Sequence, residues 1–484
     1  MLAKELLSRV DIIKIIGNPD LFVSKVVFDS REATSDSMFI AISGNKLDGN
    51  QYINDAILNG SSVIVTEDIK VEIEPDITYV YVKNSRKTLS TIASNFYGNP
   101  SKKINLVGVT GTNGKTTIVN LLYQFFVLND IKVGMLSTIS NIIDNKIIAA
   151  THTTADPLQI NFLINQMVEQ GCRYCFMEVS SHAIDQYRIH DLDFNAGIFT
   201  NITRDHLDYH KTFSNYINVK KSFFDRLNKN AISIVNKDDK NGLKMIESSE
   251  SKKITYSIKS SANHTFNILE YHFSGTLVKN CSTEFWINLV GEFNVYNILA
   301  VFSLAQEYGF NKETIIKNLT LLKSAEGRFQ LVRSKDSVTG IIDYAHTDDA
   351  LKNLLKTINN IRNVNEELIV VFGCGGERDK SKRLLMTEVA CDLSSQVILT
   401  SDNPRGESLD SIISDMTDGL DPLQKEKILI ISDRKEAINT AARLAKSKDI
   451  IVLAGKGHET YQEINGNKIP FNDKNELKKA LKII

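Results

Sequence analysis

Apolar residues recur along this chain in short strand-like runs, each followed by a stretch with the spacing of an amphipathic helix. After Ile104, four such runs alternate with helical stretches: Leu106 to Val109, Tyr174 to Val179, Ala196 to Thr200 and Ala231 to Val235. This alternation is typical of a parallel sheet with helices on both faces. Between about residues 252 and 290 the pattern shortens and alternates, which predicts a small antiparallel insertion before a helix from about Asn294 to Tyr308.

The regions on either side have patterns of their own. Residues up to about 98 mix strand-like and helical segments and end at the break Gly98-Asn99-Pro100. Beyond Gly327, strand-like runs again alternate with helical stretches: Gly340 to Tyr344, Glu367 to Phe372, Gln396 to Thr400 and Ile450 to Ala454. The pattern predicts an α/β protein of three domains: a smaller mixed α/β N-terminal domain (1–98), a central domain with a parallel sheet (99–326) and a C-terminal doubly wound, Rossmann-like domain (327–484). A length of 484 residues fits roughly three hydrophobic cores.

Composition narrows the class of partner. The 57 basic residues nearly balance the 58 acidic ones, so no charge excess favours nucleic acid or an anionic membrane, and small-molecule partners are expected. Met1 to Gly17 spaces charges among apolar positions, which predicts an amphipathic helix and not a secretory signal. No apolar run is long enough to span a bilayer. The protein is therefore expected to be soluble and cytoplasmic.

The five cysteines follow no disulfide-framework spacing, as expected in a reducing compartment. Cys172 and Cys175 form a Cys-x-x-Cys at the entry to an apolar run, and no second pair follows at zinc-site spacing. They are expected to be unpaired thiols near a strand.

Gly108 to Thr117 reads Gly-Val-Thr-Gly-Thr-Asn-Gly-Lys-Thr-Thr and lies between an apolar run and the helical stretch Ile118 to Val127. Glycines let backbone N–H groups close on phosphate oxygens, Lys115 supplies a positive charge, and the Thr116 hydroxyl can hold Mg²⁺. The strict P-loop has glycine six residues before the lysine, where this chain has Val109, so the loop is a variant. The sequence predicts a nucleoside triphosphate bound by Gly111, Thr112, Asn113, Gly114, Lys115, Thr116 and Thr117.

Polar residues also follow two other predicted strands of the central domain. Glu178 begins Glu-Val-Ser-Ser-His, and His206 lies in Thr-Asn-Ile-Thr-Arg-Asp-His-Leu-Asp, which begins at Thr200. The carboxyl ends of parallel strands meet at one edge of the sheet, so Glu178 and His206 are placed to coordinate Mg²⁺ beside the P-loop. A capping or hydrogen-bonding role at the strand ends is the alternative. Lys220, one of a Lys-Lys pair, is from its residue chemistry alone a solvated surface charge.

Together these motifs resemble the Mur ligase family, and they cover almost the whole chain in order. The resemblance rests on the P-loop variant, the Glu-Val-Ser-Ser-His segment, the Asn-Ile-Thr-Arg-Asp-His-Leu-Asp-Tyr-His segment from Asn201, and Tyr216-x-x-x-Lys220. It implies a ligase that uses ATP and Mg²⁺, with Lys115, Glu178, His206 and Lys220 in catalysis. It also implies that Lys220 is carbamylated by CO₂ and holds metal together with Thr116, Glu178 and His206.

The resemblance further implies two substrates, UDP-N-acetylmuramoyl-L-alanyl-D-glutamate and meso-2,6-diaminopimelate, joined through an acyl phosphate. The positions that match the uridine-nucleotide substrate site are Phe28, Ser30, Asn45, Lys46, Leu47, His152, Thr153, Thr154, Ser180, Gln186 and Arg188. The N-terminal ones are equally compatible with ordinary turn chemistry. Four further positions resemble those that close over the nucleotide: Asn297, Arg328, Asp343 and His346.

The segments Asp402-Asn403-Pro404-Arg405 and Gly455 to Glu459 bear on the amino-acid substrate. An amino acid with a distal carboxylate and ammonium needs a bidentate cation and an acid, which Arg405, Arg378 and Glu459 supply. The alternative for Asp402 to Arg405 is a proline-fixed turn with a solvated arginine. The alternative for Gly373 to Asp379 is a tight turn that presents Arg378. Within the family, the Asp-Asn-Pro-Arg segment resembles the corresponding segment of enzymes that add meso-diaminopimelate, whereas enzymes that add L-lysine usually lack the arginine.

Three other functions stay open. An L-lysine-adding ligase shares nearly all of the motifs. Folylpolyglutamate synthase shares the P-loop variant and lysine carbamylation but leaves the Ser30 segment and Asp402 to Arg405 without a role. A P-loop NTPase switch would hydrolyse nucleotide without an amine acceptor, and it leaves the other two strand-end clusters unexplained.

Overall fold

The computed structural model describes residues 1–44, 47–150 and 152–483. Its first sheet has the strand order β1-β5-β4-β3-β2, with β1 Ile12–Ile16, β2 Lys25–Val27, β3 Ser37–Ile40, β4 Ser61–Thr66 and β5 Thr78–Val82. The accompanying helices are α1 Ala3–Leu6, α2 Ile53–Leu58 and α3 Ser85–Phe96. The predicted amphipathic helix over Met1 to Gly17 is wrong, because only α1 is helical and β1 pairs antiparallel with β5. The isoleucine-rich segment Ile12–Ile16 favours a strand, and it pairs with β5 at the edge of the sheet.

The central sheet has the order β14-β13-β12-β11-β6-β10-β7-β8-β9. Its strands are β6 Asn105–Thr110, β7 Val133–Leu136, β8 Ser140–Ile143, β9 Lys146–Ala149, β10 Tyr174–Glu178, β11 Ala196–Phe199, β12 Ile232–Asn236, β13 Lys252–Ser257 and β14 His264–Thr265. β6 lies between β10 and β11 and is parallel to both, so the predicted strands and their parallel pairing are confirmed. Val107 and Val109 pack on one side of the sheet, and Leu106 packs on the other.

Helices cover both faces of this sheet: α4 Lys115–Val127, α5 Pro157–Glu169, α6 Ser181–Asp185, α7 Leu207–His210, α8 Phe213–Asp225, α9 Gly242–Met245, α10 Glu292–Glu307 and α11 Lys312–Leu319. α4 and α10 pack on the Val107 face, and α5 and α8 pack on the opposite face. The helix predicted from Asn294 to Tyr308 is confirmed as α10.

The predicted antiparallel insertion is correct only in its second part. Residues 252–265 form β13 and β14, which extend the parallel sheet, and the antiparallel sheet consists of β15 Asn267–His272, β16 Gly275–Asn280 and β17 Thr283–Ile287. Ile254 and Tyr256 are buried against the core that α10 covers. An alternating pattern occurs in edge strands of either direction, so it could not distinguish the two arrangements.

The C-terminal sheet has the order β18-β19-β23-β20-β21-β22. Its strands are β18 Gln330–Arg333, β19 Thr339–Asp343, β20 Leu368–Phe372, β21 Gln396–Leu399, β22 Ile428–Ile430 and β23 Ile450–Ala454, followed by the hairpin β24 Tyr461–Ile464 and β25 Asn467–Pro470. Its helices are α12 Asp348–Ile361, α13 Lys382–Leu393, α14 Leu409–Thr417, α15 Pro422–Glu426, α16 Arg434–Leu444 and α17 Asp473–Ala480. Apolar cores on both faces agree with the predicted doubly wound architecture. The domain boundaries at 98 and 326 stay predictions.

Two expectations about the chain as a whole can be compared with the structure. None of the helices in the described residues is long and apolar enough to cross a membrane. All five cysteines are free thiols, and Cys175 is buried in β10 and Cys172 just before it, as predicted. Burial raises the pKa of the Cys175 thiol and keeps it protonated.

Candidate active site

A cavity of about 420 Å³ lies where the carboxyl ends of the central strands face those of the C-terminal strands. The predicted residues that line it are Thr112, Asn113, Gly114, Lys115, Thr116, His152, Thr153, Thr154, Glu178, Ser180, Arg188, His206, Lys220, Arg328, His346, Arg378, Asp402, Asn403, Arg405, Gly455 and Glu459. Residues from four predicted groups, for the nucleotide, the metal, the uridine-nucleotide substrate and the amino acid, therefore share one space.

The P-loop joins β6 to α4, which begins at Lys115. Gly111 and Gly114 have positive φ angles of 149° and 91°, and a Cβ atom on Gly111 would lie 1.9 Å from the Thr200 Oγ1 atom. Both positions therefore require glycine. Lys115 Nζ donates to the carbonyls of Gly111 and Thr112 at 3.0 and 2.8 Å, and burial lowers the pKa of Lys115. The N-terminus of α4 and the Lys115 side chain thus lie together at the end of β6, an arrangement that suits an anion.

Glu178, at the end of β10, connects the P-loop helix α4 to the segment that follows β7. Its side chain is buried, and its two carboxylate oxygens accept from the Thr116 hydroxyl at 2.9 Å and from the Thr138 backbone N–H at 2.7 Å. Arg328 Nη2 also donates to Thr116 Oγ1, at 3.3 Å, from the start of the C-terminal region. A hydroxyl and a carboxylate, both ligands that Mg²⁺ accepts, thus converge at the end of β10.

Lys220 is buried, with 1% of its surface exposed, so the expectation of a solvated lysine is wrong. Its Nζ donates to the Gly111 carbonyl at 2.9 Å and lies 4.9 Å from the centre of the Tyr216 ring. Burial and the neighbouring Lys115 charge lower the pKa of Lys220 well below its usual value. The reason for its burial is periodic, because Lys220 shares the inward face of α8 with Tyr216 and Phe223, whereas Lys221 pairs with Asp225 outside.

His206 lies at the entrance to α7 in the left-handed region, at φ 53°, and its Nε2 is 3.4 Å from Asp205 Oδ2. Burial lowers the pKa of His206, which leaves the imidazole neutral and able to act as a metal ligand. Burial alone would raise the pKa of Asp205, but the neighbouring basic groups, His206 first and then His346, Lys382 and Lys115, hold it below its usual value. Asp205 is thus a buried carboxylate beside the predicted metal ligand His206.

Some cavity residues were missed by the sequence predictions, among them Thr138, Asp205, Tyr344 and Lys382. The position of Asp205, next to His206 in the same strand-end motif, could have revealed it. Thr138 and Lys382 carry no local signal, because each enters the cavity through the packing of its element against distant ones.

Five residues predicted to bind the nucleotide or the amino acid do not line this cavity: Gly111, Thr117, Asn297, Asp343 and Pro404. Asn297 lies behind the P-loop, where a Cβ atom on Gly114 would come within 2.6 Å of its Oδ1. The Asp343 carboxylate accepts from the backbone N–H groups of Phe329 and Ala345 at 2.7 and 2.8 Å. In this arrangement it fixes the backbone next to Arg328 and His346.

A second cavity, of about 710 Å³, adjoins the first. Phe28, Ser30, Leu47, Gln186, His152 and Arg188 are the predicted residues that line it. His152 and Arg188 line both cavities, and Arg188 donates to the Thr154 carbonyl at 2.8 Å and to Gln186 Oε1 at 2.6 Å. Asn45 and Lys46 lie outside the described residues. An elongated ligand held at one end by the N-terminal sheet could therefore reach the P-loop.

The amino-acid residues gather on the C-terminal side of the first cavity. Arg405, at φ 53°, donates through Nη1 to the Gly376 carbonyl at 2.7 Å, and its Nε is 3.3 Å from Glu463. Glu459 accepts from Asn403 at 2.9 Å and from the buried Lys456 at 2.8 Å. A guanidinium and a carboxylate with fixed positions thus face the same space.

The arrangement can be compared with known proteins. Sequence profiles of three Mur ligase domains match the chain: the Mur ligase family catalytic domain at residues 23–97, the Mur ligase middle domain at 109–305 and the Mur ligase glutamate ligase domain at 327–457. Two relatives carry the name UDP-N-acetylmuramoyl-L-alanyl-D-glutamate--2,6-diaminopimelate ligase. The one from Bacteroides fragilis is 47% identical and the one from Cytophaga hutchinsonii 46%, with 100% and 99% of both chains covered, respectively.

Solved structures agree in fold. A structure of UDP-N-acetylmuramoyl-L-alanyl-D-glutamate--2,6-diaminopimelate ligase is 31% identical, with a TM-score of 0.68 over 100% of this chain and 99% of that one. Folylpolyglutamate synthase from Mycobacterium tuberculosis matches in fold alone, at 14% identity and a TM-score of 0.61 over 77% and 92% of the chains. The protein belongs to the Mur ligase family and is an ATP-dependent ligase.

Proposed function

We propose that this ligase joins meso-2,6-diaminopimelate to UDP-N-acetylmuramoyl-L-alanyl-D-glutamate at the expense of ATP, in the synthesis of a peptidoglycan precursor. The observation that carries the proposal is the pair of adjoining cavities, one lined by Ser30 and Leu47 and the other by the P-loop and the Arg405 region. A substrate with a nucleotide at one end and a carboxylate at the other spans such a pair, which leaves the C-terminal side for the amine. The full-length relatives act on these substrates by name.

The reaction proceeds in two transfers. A carboxylate oxygen of the D-glutamyl residue attacks the γ-phosphorus of ATP; the new O–P bond gives an acyl phosphate, and the bond to the bridging oxygen breaks to release ADP. The amine then attacks the acyl carbon, phosphate leaves with the C–O electron pair, and the amine loses a proton. Lys115 reduces the repulsion between the two anionic reactants in the first step. The cavity between the domains limits access of water to the acyl phosphate.

The donor set fits Mg²⁺ in a site that retains water ligands. Among the described residues, no group of three His, Cys, Asp or Glu side chains is placed to hold a metal ion by itself. Mg²⁺ usually keeps several waters and needs only one or two carboxylates plus phosphate oxygens, so Thr116, Glu178 and His206 are a sufficient protein contribution. When bound, the ion neutralises charge that develops on the transferred phosphoryl group.

Lys220 fits the proposed carbamate for two reasons. Its amine is buried with a lowered pKa, and only the neutral amine reacts with CO₂. An N–C bond then forms and the nitrogen loses one proton, so the neutral amine beside Lys115 becomes an anion that suits a metal site. The unmodified ammonium would instead repel both Lys115 and Mg²⁺.

The proposed compartment is the cytoplasm, where ATP and nucleotide-linked substrates are available. The five unpaired thiols support this compartment. The family membership disfavours the NTPase-switch alternative. Folylpolyglutamate synthase is disfavoured because it would leave the Ser30 segment without a role.

The test is phosphate release from the purified protein with ATP, Mg²⁺ and UDP-N-acetylmuramoyl-L-alanyl-D-glutamate, in the presence of meso-diaminopimelate, L-lysine or neither. Release that requires meso-diaminopimelate is expected. Release with L-lysine alone would keep the ligase but contradict the assignment of the amine, and release without any amine would contradict the ligation step.

Replacement of Arg405 by alanine should raise the KM for meso-diaminopimelate by about 10²-fold and leave the KM for ATP nearly unchanged, because a bidentate guanidinium contact to carboxylate is lost. Arg405→Lys should recover little, since an ammonium cannot reproduce the fork. Arg443→Ala is the matched control, an exposed arginine in the same region. Steady-state kinetics with each substrate varied in turn measures the effect; an unchanged KM for the amine would remove Arg405 from the site.

A further inference from the structure

Arg434 and Asp473 form an ion pair with no exposed surface on either side chain. Arg434 begins α16 and Asp473 begins α17, and the contact is bidentate, with Nε to Oδ1 at 2.8 Å and Nη2 to Oδ2 at 2.7 Å. Neither residue lines the candidate active site.

The remaining donors of Arg434 reach two strand ends. Nη1 donates to the Ser401 carbonyl at 3.3 Å, and Nη2 donates to the Ala454 carbonyl at 3.1 Å. Ser401 directly precedes Asp402, and Ala454 directly precedes Gly455, so each contact fixes the residue from which an amino-acid loop departs. Ala454 ends β23, and Ser401 lies two residues after the end of β21. Because β20 separates these two strands in the sheet, the guanidinium links two segments that are not neighbours.

The proposed role of the two loops in amino-acid binding depends on the distance between them. Asn403 and Lys456, one from each loop, hydrogen-bond at 3.1 Å, and Asn403 also donates to Glu459 at 2.9 Å. Gln462 adds a further contact to the first loop, donating to the Asp402 carbonyl at 3.0 Å. Arg405 and Glu459 are the groups proposed to hold opposite charges of one substrate, so their spacing must match its length.

Stability alone gives a weak reason for burying this pair. The cost of removing two charges from water offsets most of their attraction, and hydrophobic replacements of such pairs are often as stable. A planar group with several donors at fixed angles does, however, specify the relative positions of everything it touches. The geometry of the pair suits positioning better than stabilisation.

We propose that Arg434, held by Asp473, is a positioning residue for the amino-acid site: it sets the distance between the Asp402–Arg405 loop and the Gly455–Glu459 loop. The proposal rests on the proposed function, since it concerns the same amine site. It adds a determinant of amino-acid recognition that contacts no substrate and that couples the C-terminal helix α17 to the site.

Arg434→Lys tests the proposal, because lysine keeps the charge but cannot reach Asp473 and both carbonyls together. We expect the KM for meso-diaminopimelate to rise about tenfold, since a small displacement of positioning groups is enough for such losses. The KM values for ATP and for the uridine-nucleotide substrate should stay within about twofold. A purely structural role would lower kcat through loss of folded enzyme and leave every KM unchanged.

Asp449→Asn is the matched control. Asp449 is a buried carboxylate at the opposite, amino end of the same sheet, where it accepts from the backbone N–H groups of Glu367 and Lys446 at 2.9 and 2.7 Å. Its replacement should lower the melting temperature without changing the KM for the amine. Asp473→Asn is the milder test variant, because it leaves Arg434 and its two carbonyl contacts in place but holds the guanidinium less firmly. It tests the positioning role if Arg434→Lys does not fold.

The outcomes separate the two proposals. A wild-type enzyme that joins a different amine would contradict the proposed substrate, and the Arg434 test would then use the KM for that amine. A wild-type enzyme that needs meso-diaminopimelate, combined with unchanged amine KM in both test variants, would overturn the positioning role alone. Release without any amine in the wild type would contradict both.

Discussion

Replacement of Lys220 by arginine is expected to reduce ligation by about 10³-fold, the loss that follows removal of a major electrostatic element from an active site. The substitution Lys220→Arg keeps a cation that can donate to the Gly111 carbonyl, as Lys220 does at 2.9 Å. A guanidinium stays protonated and does not react with CO₂. If the ammonium of Lys220 served only to brace the P-loop, the arginine variant would retain much of the activity.

Two measurements make this result specific. Incubation with ¹³C-labelled bicarbonate should give a carbamate carbon signal by NMR in the wild type and none in Lys220→Arg. Lys221→Arg is the neighbouring control, since Lys221 pairs with Asp225 at 2.7 Å on the outer face of α8 and should keep both signal and activity. A fully active Lys220→Arg enzyme would exclude the carbamate.

The second large effect is expected for Lys115→Met, which should lower the rate of acyl-phosphate formation by about 10²- to 10³-fold. Methionine approximates the length of the side chain but brings no charge to the phosphates. The Lys115 contacts to Gly111 and Thr112 at 3.0 and 2.8 Å are also lost, so the loop itself is less well held. ADP formation in a single turnover, with all substrates saturating, measures the step directly.

ADP binding separates the two contributions of Lys115. A charge effect on the transferred phosphoryl group leaves ADP affinity within about tenfold, whereas a collapsed loop removes it. Lys132→Met, which removes a half-exposed lysine 3.5 Å from Asp144, is the surface control and should match the wild type. Normal turnover by Lys115→Met would contradict the assignment of this loop as the phosphate cradle.

Much of the fold could be predicted from the sequence because its signals are local. Strands such as β10 and β23 are continuous apolar runs, and helices such as α10 have a clear period, so both were found within about two residues. The P-loop could be predicted for the same reason, because its glycines and Lys115 lie within one turn between a strand and a helix. The strand-end positions of Glu178 and His206 followed from the rule for parallel sheets.

The errors have a common cause. Ile12–Ile16 form a strand because they pair with the edge of β5. Residues 252–265 extend the parallel sheet because β13 pairs with the edge of β12. Neither partner is visible in the local pattern, since each pairing depends on a segment far along the chain or on the direction of a neighbouring strand. Where a segment can take either form, tertiary contacts decide.

The sequence by itself determined the α/β class, the variant P-loop and the residue types available for phosphate, metal and amino-acid contacts. The tertiary structure alone decided which of two adjacent lysines is buried: α8 turns Lys220 inward to Gly111 and leaves Lys221 at the surface. It also placed Asp205 among basic side chains and joined Arg434 to the Ser401 and Ala454 carbonyls of two separate segments. The physical reason is range, because periodicity and turn chemistry act over a few residues, whereas burial and charge pairing depend on atoms that only the folded chain brings together.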